Sequence, residues 1–146
     1  MSCDALASLA FFWLAATSPV STPAPAGPAL SVAQEPLFAD IVSRAGALKA
    51  EIDAFRGKGE LPGAAFGDQI RKLSDLDMQG HLLLAQRGTD GDLKCILRGI
   101  SQDLPLKLTA LTEAPTPKAR DLAMREMAYL LNDNVEVITA PPAPPV

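Results

Sequence analysis

The sequence predicts an all-α protein, an up-down bundle of four helices, and three observations support that prediction. Apolar residues recur at spacings of three and four along four segments, which is the period of an amphipathic helix. Glycine and proline cluster between these segments, as they do in turns. No repeat with a period of about 20 to 50 residues is evident, which argues against a solenoid. Four amphipathic helices joined by short turns favour an up-down bundle.

The first two helices are predicted over residues 37–57 and 64–87. The apolar stripe of the first contains Phe38, Ile41, Val42, Ala45, Leu48, Ile52 and Phe55. The stripe of the second contains Phe66, Ile70, Leu73, Leu76, Leu83 and Leu84. Gly80 interrupts the second helix, at a loss of about 1 kcal/mol relative to alanine unless close packing requires a small residue there.

The third helix is predicted over residues 92–113, and Pro105 lies inside it. Its apolar positions are Leu93, Ile96, Leu97, Ile100, Leu104, Leu108 and Leu111. A proline removes a backbone hydrogen bond and crowds the preceding turn of a helix. Because the apolar stripe keeps its phase across Pro105, we predict one kinked helix rather than two separate ones.

The fourth helix is predicted over residues 117–132, with Thr116 as its N-cap and Pro117 at its first position. Its buried face is expected to contain Ala119, Leu122, Ala123, Met127, Leu130 and Leu131. Residues 135–139 alternate like a strand, so a short extended C-terminal segment is predicted to follow. The residues expected to share one central core are Ile52, Phe55, Ile70, Leu97, Ile100 and Leu130.

Composition divides the chain into four regions, and the first of them suggests export. These are a signal-peptide-like leader at 1–26, a proline-rich spacer at 27–36, the helical bundle domain at 37–139 and a proline-rich tail at 140–146. Residues 5–16 form an apolar run of about 18 Å as a helix, shorter than the roughly 30 Å of a bilayer core. Such a length is typical of the apolar region of a secretory signal, although Asp4 precedes it and no Lys or Arg does. We expect a periplasmic or secreted protein without a stable transmembrane anchor; the alternative is a buried or disordered N-terminus.

Charge and motifs argue against several functional classes. The chain has 17 acidic and 13 basic residues and a net charge of −4, which gives no basic face for a nucleic acid. One histidine and two cysteines exclude the usual Cys/His zinc cluster. The sequence contains no nucleophile elbow, zinc-protease, P-loop or dinucleotide-binding motif. We therefore expect a non-enzymatic protein without a cofactor, whose partner is another protein.

Asp77 and His81 form the one candidate metal-binding pair. Their spacing of four residues places both on one face of the second helix. A third ligand is expected from Asp121, Glu126 or Asp133. Metal sites in bundles usually combine several carboxylates with Glu-x-x-His repeats, which this sequence lacks. A bundle that binds a small ligand or metal here is the second hypothesis, with a local Asp–His pair as the simpler interpretation. A third hypothesis is a divergent enzyme that uses Asp75 and Asp77 in a cleft.

Cys95 lies beside Ile96 and Leu97 in the third helix and is interpreted as a structural cysteine. Cleavage after the leader would remove Cys3, the other cysteine, so the mature chain is expected to form no internal disulfide. 

Residues 80–104 carry one resemblance to a known family. The matching positions are the GHL at 80–82, the CI at 95–96, the GIS at 99–101 and Leu104. This stretch resembles small helical periplasmic immunity proteins of secretion-system toxins. The resemblance implies an inhibitor or immunity role as one form of protein binding.

Overall fold

In the computed structural model, which describes residues 31–88 and 91–140, four α-helices follow a short 3-10 helix. The 3-10 helix is Val32–Gln34, and the α-helices are α1 (Pro36–Phe55), α2 (Ala64–Gln86), α3 (Gly91–Thr112) and α4 (Pro117–Thr139). No β-strand occurs in the described ranges, so the all-α prediction is confirmed. Nor is any described helix long and apolar enough to cross a membrane. The predicted leader, part of the spacer and most of the tail lie outside the described residues.

The four helices form a closed ring. Each helix packs against the next one in the chain, and α1 also packs against α4. After the end of α1, the amide of Gly57 donates to Oδ1 of Asp121 near the start of α4, at 3.2 Å. After the end of α2, Arg87 donates to both carboxylate oxygens of Glu35, which precedes α1, at 2.7 and 2.8 Å. These bonds join opposite ends of adjacent helices, as the predicted up-down bundle requires.

One apolar cluster fills the ring, and all four helices contribute to it. Its most completely buried side chains are Phe38, Ile41, Leu48, Ile52, Ile70, Leu73, Leu97, Leu104, Leu111, Met124, Met127 and Leu131. Of the residues expected to share the core, Phe55 and Leu130 are only half-buried at its edge, and the other four are buried.

Helix α3 continues through Pro105, as predicted, while the bend at this residue stays a prediction. Proline has no N–H, so the carbonyl of Ser101, four residues earlier, lacks its usual helical donor. Ser74 on α2 donates its hydroxyl to that carbonyl at 2.7 Å, in the interior. The acceptor that Pro105 leaves free is therefore satisfied by the neighbouring helix, and it helps to join α2 to α3.

The predicted extended segment at residues 135–139 is wrong, because these residues form the last part of α4. Asn134 and Ile138 are buried against the core. On the outer side, Asn132 donates to Glu136 across one helical turn at 2.7 Å. Burial of one helical face in this stretch outweighs the strand preference of its valine and isoleucine residues.

Cys95 is half-buried on α3, as expected for a structural cysteine. It is also disulfide-bonded, so it is not a lone thiol in this chain. The expectation of no internal disulfide applies to the chain after cleavage of the leader, and it stays a prediction. Cys3, which cleavage would remove, lies outside the described residues.

Candidate functional site

Helix α2 carries three polar side chains into the interior: Ser74, Asp77 and His81. Spacings of three and four residues place them on one helix face, as the sequence predicted for Asp77 and His81. His81 Nδ1 donates to the carbonyl oxygen of Lys94 on α3 at 2.7 Å. Asp77 instead accepts a hydrogen bond from Asn134 on α4 at 2.8 Å. The buried polar groups of α2 therefore bind α3 and α4.

Asp77 and Asn134 form an acid–amide pair, and both side chains are 0% exposed. Burial raises the pKa of Asp77 from its ordinary 3.8 to about 8, although the bond from Asn134 opposes this shift. Among the described residues, Asp77 Oδ1 and Asn134 Oδ1 have no hydrogen-bond partner. With a pKa of about 8 the carboxyl is mostly protonated at neutral pH, and a protonated carboxyl carries an O–H donor that the carboxylate lacks.

The expected metal ligands Asp77 and His81 thus share a face but bind different helices. The residues considered as third ligands, Asp121, Glu126 and Asp133, lie at exposed or half-exposed positions of α4. In the ranges 31–88 and 91–140, no three His, Cys, Asp or Glu side chains come together in a way that could hold a metal ion. The metal site therefore stays a prediction, without a third ligand in this part of the chain.

A surface groove between α3 and α4 is the other candidate site. It contains two adjacent cavities of about 470 and 280 Å³, both of which are lined by Leu122 and Glu126. We call this surface the α3–α4 groove; it is lined by Asp103, Lys107, Glu113, Leu122, Arg125, Glu126, Tyr129 and Asp133, among others.

Large apolar side chains are exposed in and beside this groove. Leu122 is 48% exposed and Tyr129 is 70% exposed, two helical turns apart on α4. On α3, Leu106 is also 65% exposed, but it does not line the groove. Isolated exposed apolar residues are common, but two large ones that line one concave surface are typical of an interaction site.

The two cations of the groove are already paired. Lys107 Nζ lies 2.8 Å from Oε2 of Glu126, which joins α3 to α4. Arg125 Nε lies 3.8 Å from Oδ2 of Asp121, one helical turn away. Their positive charge is therefore largely balanced by these neighbours.

The remaining charged groups of the groove are acidic: Asp103, Glu113 and Asp133. Desolvation raises the pKa of Asp133, and the negative charge of Glu136 raises it further. Negative charge thus accumulates at the end of the groove where Asp133 lies.

Sequence reasoning missed most of this groove. Leu122 was assigned to the buried face of the fourth helix, and that assignment is wrong. Met124, which the predicted face did not include, is buried instead, because the core-facing side of α4 is set by where α1 and α3 pack. Tyr129 offered one sequence signal, since an aromatic residue stands there outside the predicted apolar stripe.

No family model, curated protein or solved structure matches this chain. The fold and its surfaces define the class of protein: a four-helix bundle with an enclosed polar centre and an exposed apolar groove.

Proposed function

We propose that this protein is an exported, non-enzymatic helical module that binds another protein through the α3–α4 groove. The observation that carries the proposal is the exposure of Leu122 and Tyr129 in one concave surface. Burying apolar surface yields about 25 cal/mol per Å² removed from water, so a partner that covers these side chains gains binding energy. Tyrosine is also one of the residues most enriched in protein interfaces.

The interior supports a structural role for the polar residues rather than a catalytic one. Ser74, Asp77 and His81 are at most 8% exposed, and each of them is hydrogen-bonded to another helix. Asp75 is exposed while Asp77 is fully buried, so these two carboxyl groups do not share a cleft. This arrangement favours a binding module over an enzyme built on the same residues.

Binding through the groove can be tested by site-specific photocrosslinking in the native host. A photoreactive amino acid at Tyr129 should give an adduct of defined mass, whereas the same group at exposed Lys72 on α2 should not. The captured protein is then purified, and its affinity is measured directly. We expect Leu122→Asp to weaken that affinity at least about tenfold. No adduct above the Lys72 control, or an affinity that Leu122→Asp leaves unchanged, would overturn the proposal.

Export is the second part of the proposal and rests on the apolar run at residues 5–16. Mass spectrometry of the protein from its host should find a mature start between Gly27 and Gln34. An intact Met1 in the cytosolic fraction would contradict export and leave the binding role in place. An inhibitor or immunity role is a narrower form of the proposal, and a captured partner that is a toxin would support it.

The metal or ligand hypothesis at Asp77 and His81 is favoured by one observation, the unpartnered Oδ1 of Asp77 among the described residues. A protonated carboxyl binds cations poorly, because a metal must first displace the proton. Calorimetric titration of the metal-free protein with Zn²⁺ tests the hypothesis, with Asp77→Asn as control. Tight binding that is lost in Asp77→Asn would favour this hypothesis over the protein-binding one.

A further inference from the structure

We infer that the α3–α4 groove receives an amphipathic helix of the partner whose apolar side chains are flanked by lysine or arginine. This inference rests on the proposed function and adds the chemistry of the partner. It follows from the spacing of the exposed apolar residues and from the charges around them.

The apolar part of the groove fits a helix. Leu122 and Tyr129 are seven residues apart on α4, which corresponds to about 10 Å along a helix axis. An incoming helix repeats its own apolar positions at the same interval. Its side chains can therefore meet Leu122 and Tyr129 in register, as amphipathic helices do when they bind between two helices.

The charges of the groove favour a partner segment that carries positive charge. Asp103 and Asp133 line one end, and Glu113 lies towards the other. Lys107 and Arg125 are paired with Glu126 and Asp121. Desolvation and the negative charge of Glu136 both raise the pKa of Asp133, and an incoming cation that pairs with this carboxylate would offset both effects.

The same charges disfavour three other occupants. A second copy of this chain, docked groove to groove, would bring the acidic groups of one groove against acidic groups of the other. A membrane with anionic lipids would repel the acidic groups of the groove. A neutral apolar segment would leave the acidic groups partly desolvated without a counter-charge.

Two synthetic helical peptides with the same leucine and phenylalanine face test the inference. One carries lysine and the other glutamate at every polar position, and fluorescence anisotropy measures their affinity for the protein. We expect the lysine peptide to bind at least about tenfold more tightly at low ionic strength, and added salt to reduce that preference. Equal affinities, or a preference for the glutamate peptide, would overturn the inference.

Matched charge variants separate the groove from the net charge of the chain. Asp103→Lys with Asp133→Lys should abolish or reverse the preference. Glu60→Lys with Asp75→Lys changes the net charge by the same amount at exposed sites outside the groove and should preserve it. The neutral pair Asp103→Asn with Asp133→Asn serves if the lysine variant does not fold. An equal effect of the groove and control variants would overturn the inference.

Further measurements test the other occupants of the groove. They also distinguish failure of this inference from failure of the proposed function. Self-association in sedimentation that Leu122→Asp abolishes, or binding to phosphatidylglycerol vesicles, would overturn the inference in favour of a second copy or a membrane. A crosslinked partner whose contact segment lacks lysine and arginine would overturn the inference and leave the proposed function intact. Failure of crosslinking at Tyr129 would instead overturn the proposed function.

Discussion

Asp77 on α2 and Asn134 on α4 are joined by a 2.8 Å hydrogen bond across the middle of the bundle. Because each helix packs against its neighbours in chain order, α2 and α4 occupy opposite corners of the ring. A shift in the register of either helix would separate the two side chains and leave both buried without each other. An unpaired buried polar group costs about 1–3 kcal/mol, so we expect the pair to favour this one arrangement.

The first prediction concerns the pH dependence of stability. The folded state keeps a proton on Asp77 up to about pH 8, whereas the ordinary pKa of 3.8 means that the unfolded chain has lost it. Stability that depends on this proton is therefore present at low pH and is lost as the pH rises from 3.8 to about 8. We expect the free energy of unfolding to be about 2–4 kcal/mol lower near pH 8 than near pH 5.

The matched control is Asp77→Asn, whose amide resembles the protonated acid and does not titrate. Urea unfolding followed by circular dichroism, at several pH values, should give a flatter profile for this variant than for the natural protein. Parallel profiles for the two proteins would show that Asp77 is already ionised in the folded state.

The second prediction compares the same substitution at two helical glycines. A Cβ at Gly80 would lie 3.1 Å from Cε1 of Phe38 and 3.2 Å from Cδ1 of Leu97, so Gly80→Ala crowds the core. Crowding costs about 1–3 kcal/mol and exceeds the gain of about 1 kcal/mol in helix propensity, so we expect a net loss of about 1 kcal/mol. At Gly46, no described atom beyond its chain neighbours and the adjacent backbone of its own helix lies within 4 Å of that position, and Gly46→Ala should stabilise by about 0.5–1 kcal/mol. Chemical unfolding measures both changes, and equal changes at the two sites would contradict the packing role of Gly80.

The third prediction links Ser74 to Pro105. Ser74→Ala leaves the buried carbonyl of Ser101 without its donor and should cost about 1–3 kcal/mol. Pro105→Ala restores a backbone N–H that can bond that carbonyl within α3. In a double-mutant cycle, Ser74→Ala should therefore be less costly in the Pro105→Ala background, by about 1 kcal/mol. Strict additivity would mean that the Ser74 hydroxyl and the N–H restored by Pro105→Ala do not bond the same carbonyl of Ser101.

The fourth prediction contrasts a buried and an exposed leucine. Leu97 is fully buried, so Leu97→Ala should destabilise the protein by about 2–5 kcal/mol. Leu122 is 48% exposed, and Leu122→Ala should change stability by less than about 0.5 kcal/mol. Thermal or chemical unfolding tests both variants. A large loss at Leu122 would mean that variants of this residue cannot separate binding from folding.

Local signals were sufficient for most of the fold. Apolar periodicity placed all four helices, and the turns fixed the first three to within two residues. Thr116 caps α4 as predicted, because its hydroxyl oxygen accepts from the amide of Ala119 at 3.1 Å. The end of α4 was missed because valine and isoleucine prefer strands locally, and only packing against the rest of the bundle keeps them helical.

The candidate sites depended on contacts that are distant in sequence. Asp77 and His81 could be assigned to one helix face, but Asn134, the partner of Asp77, lies 57 residues away. The sequence alone indicates that Pro105 removes a hydrogen bond from α3. That Ser74 donates to the freed carbonyl of Ser101 depends on how α2 and α3 pack. The exposure of Leu122 depends on where neighbouring helices cover α4, and helical spacing alone does not determine this.

The 3-10 helix Val32–Gln34 packs against both α1 and α4, so the described chain enters and leaves the bundle at one end. A short linker could join residues 140 and 31, and new termini could be opened in the turn at residues 113–116. Such a circular permutant would keep every pair of neighbouring helices, including the bond between Arg87 and Glu35. The ring of helix contacts would thus be preserved whichever turn is opened, so the order of the helices along the chain is separable from their arrangement in space.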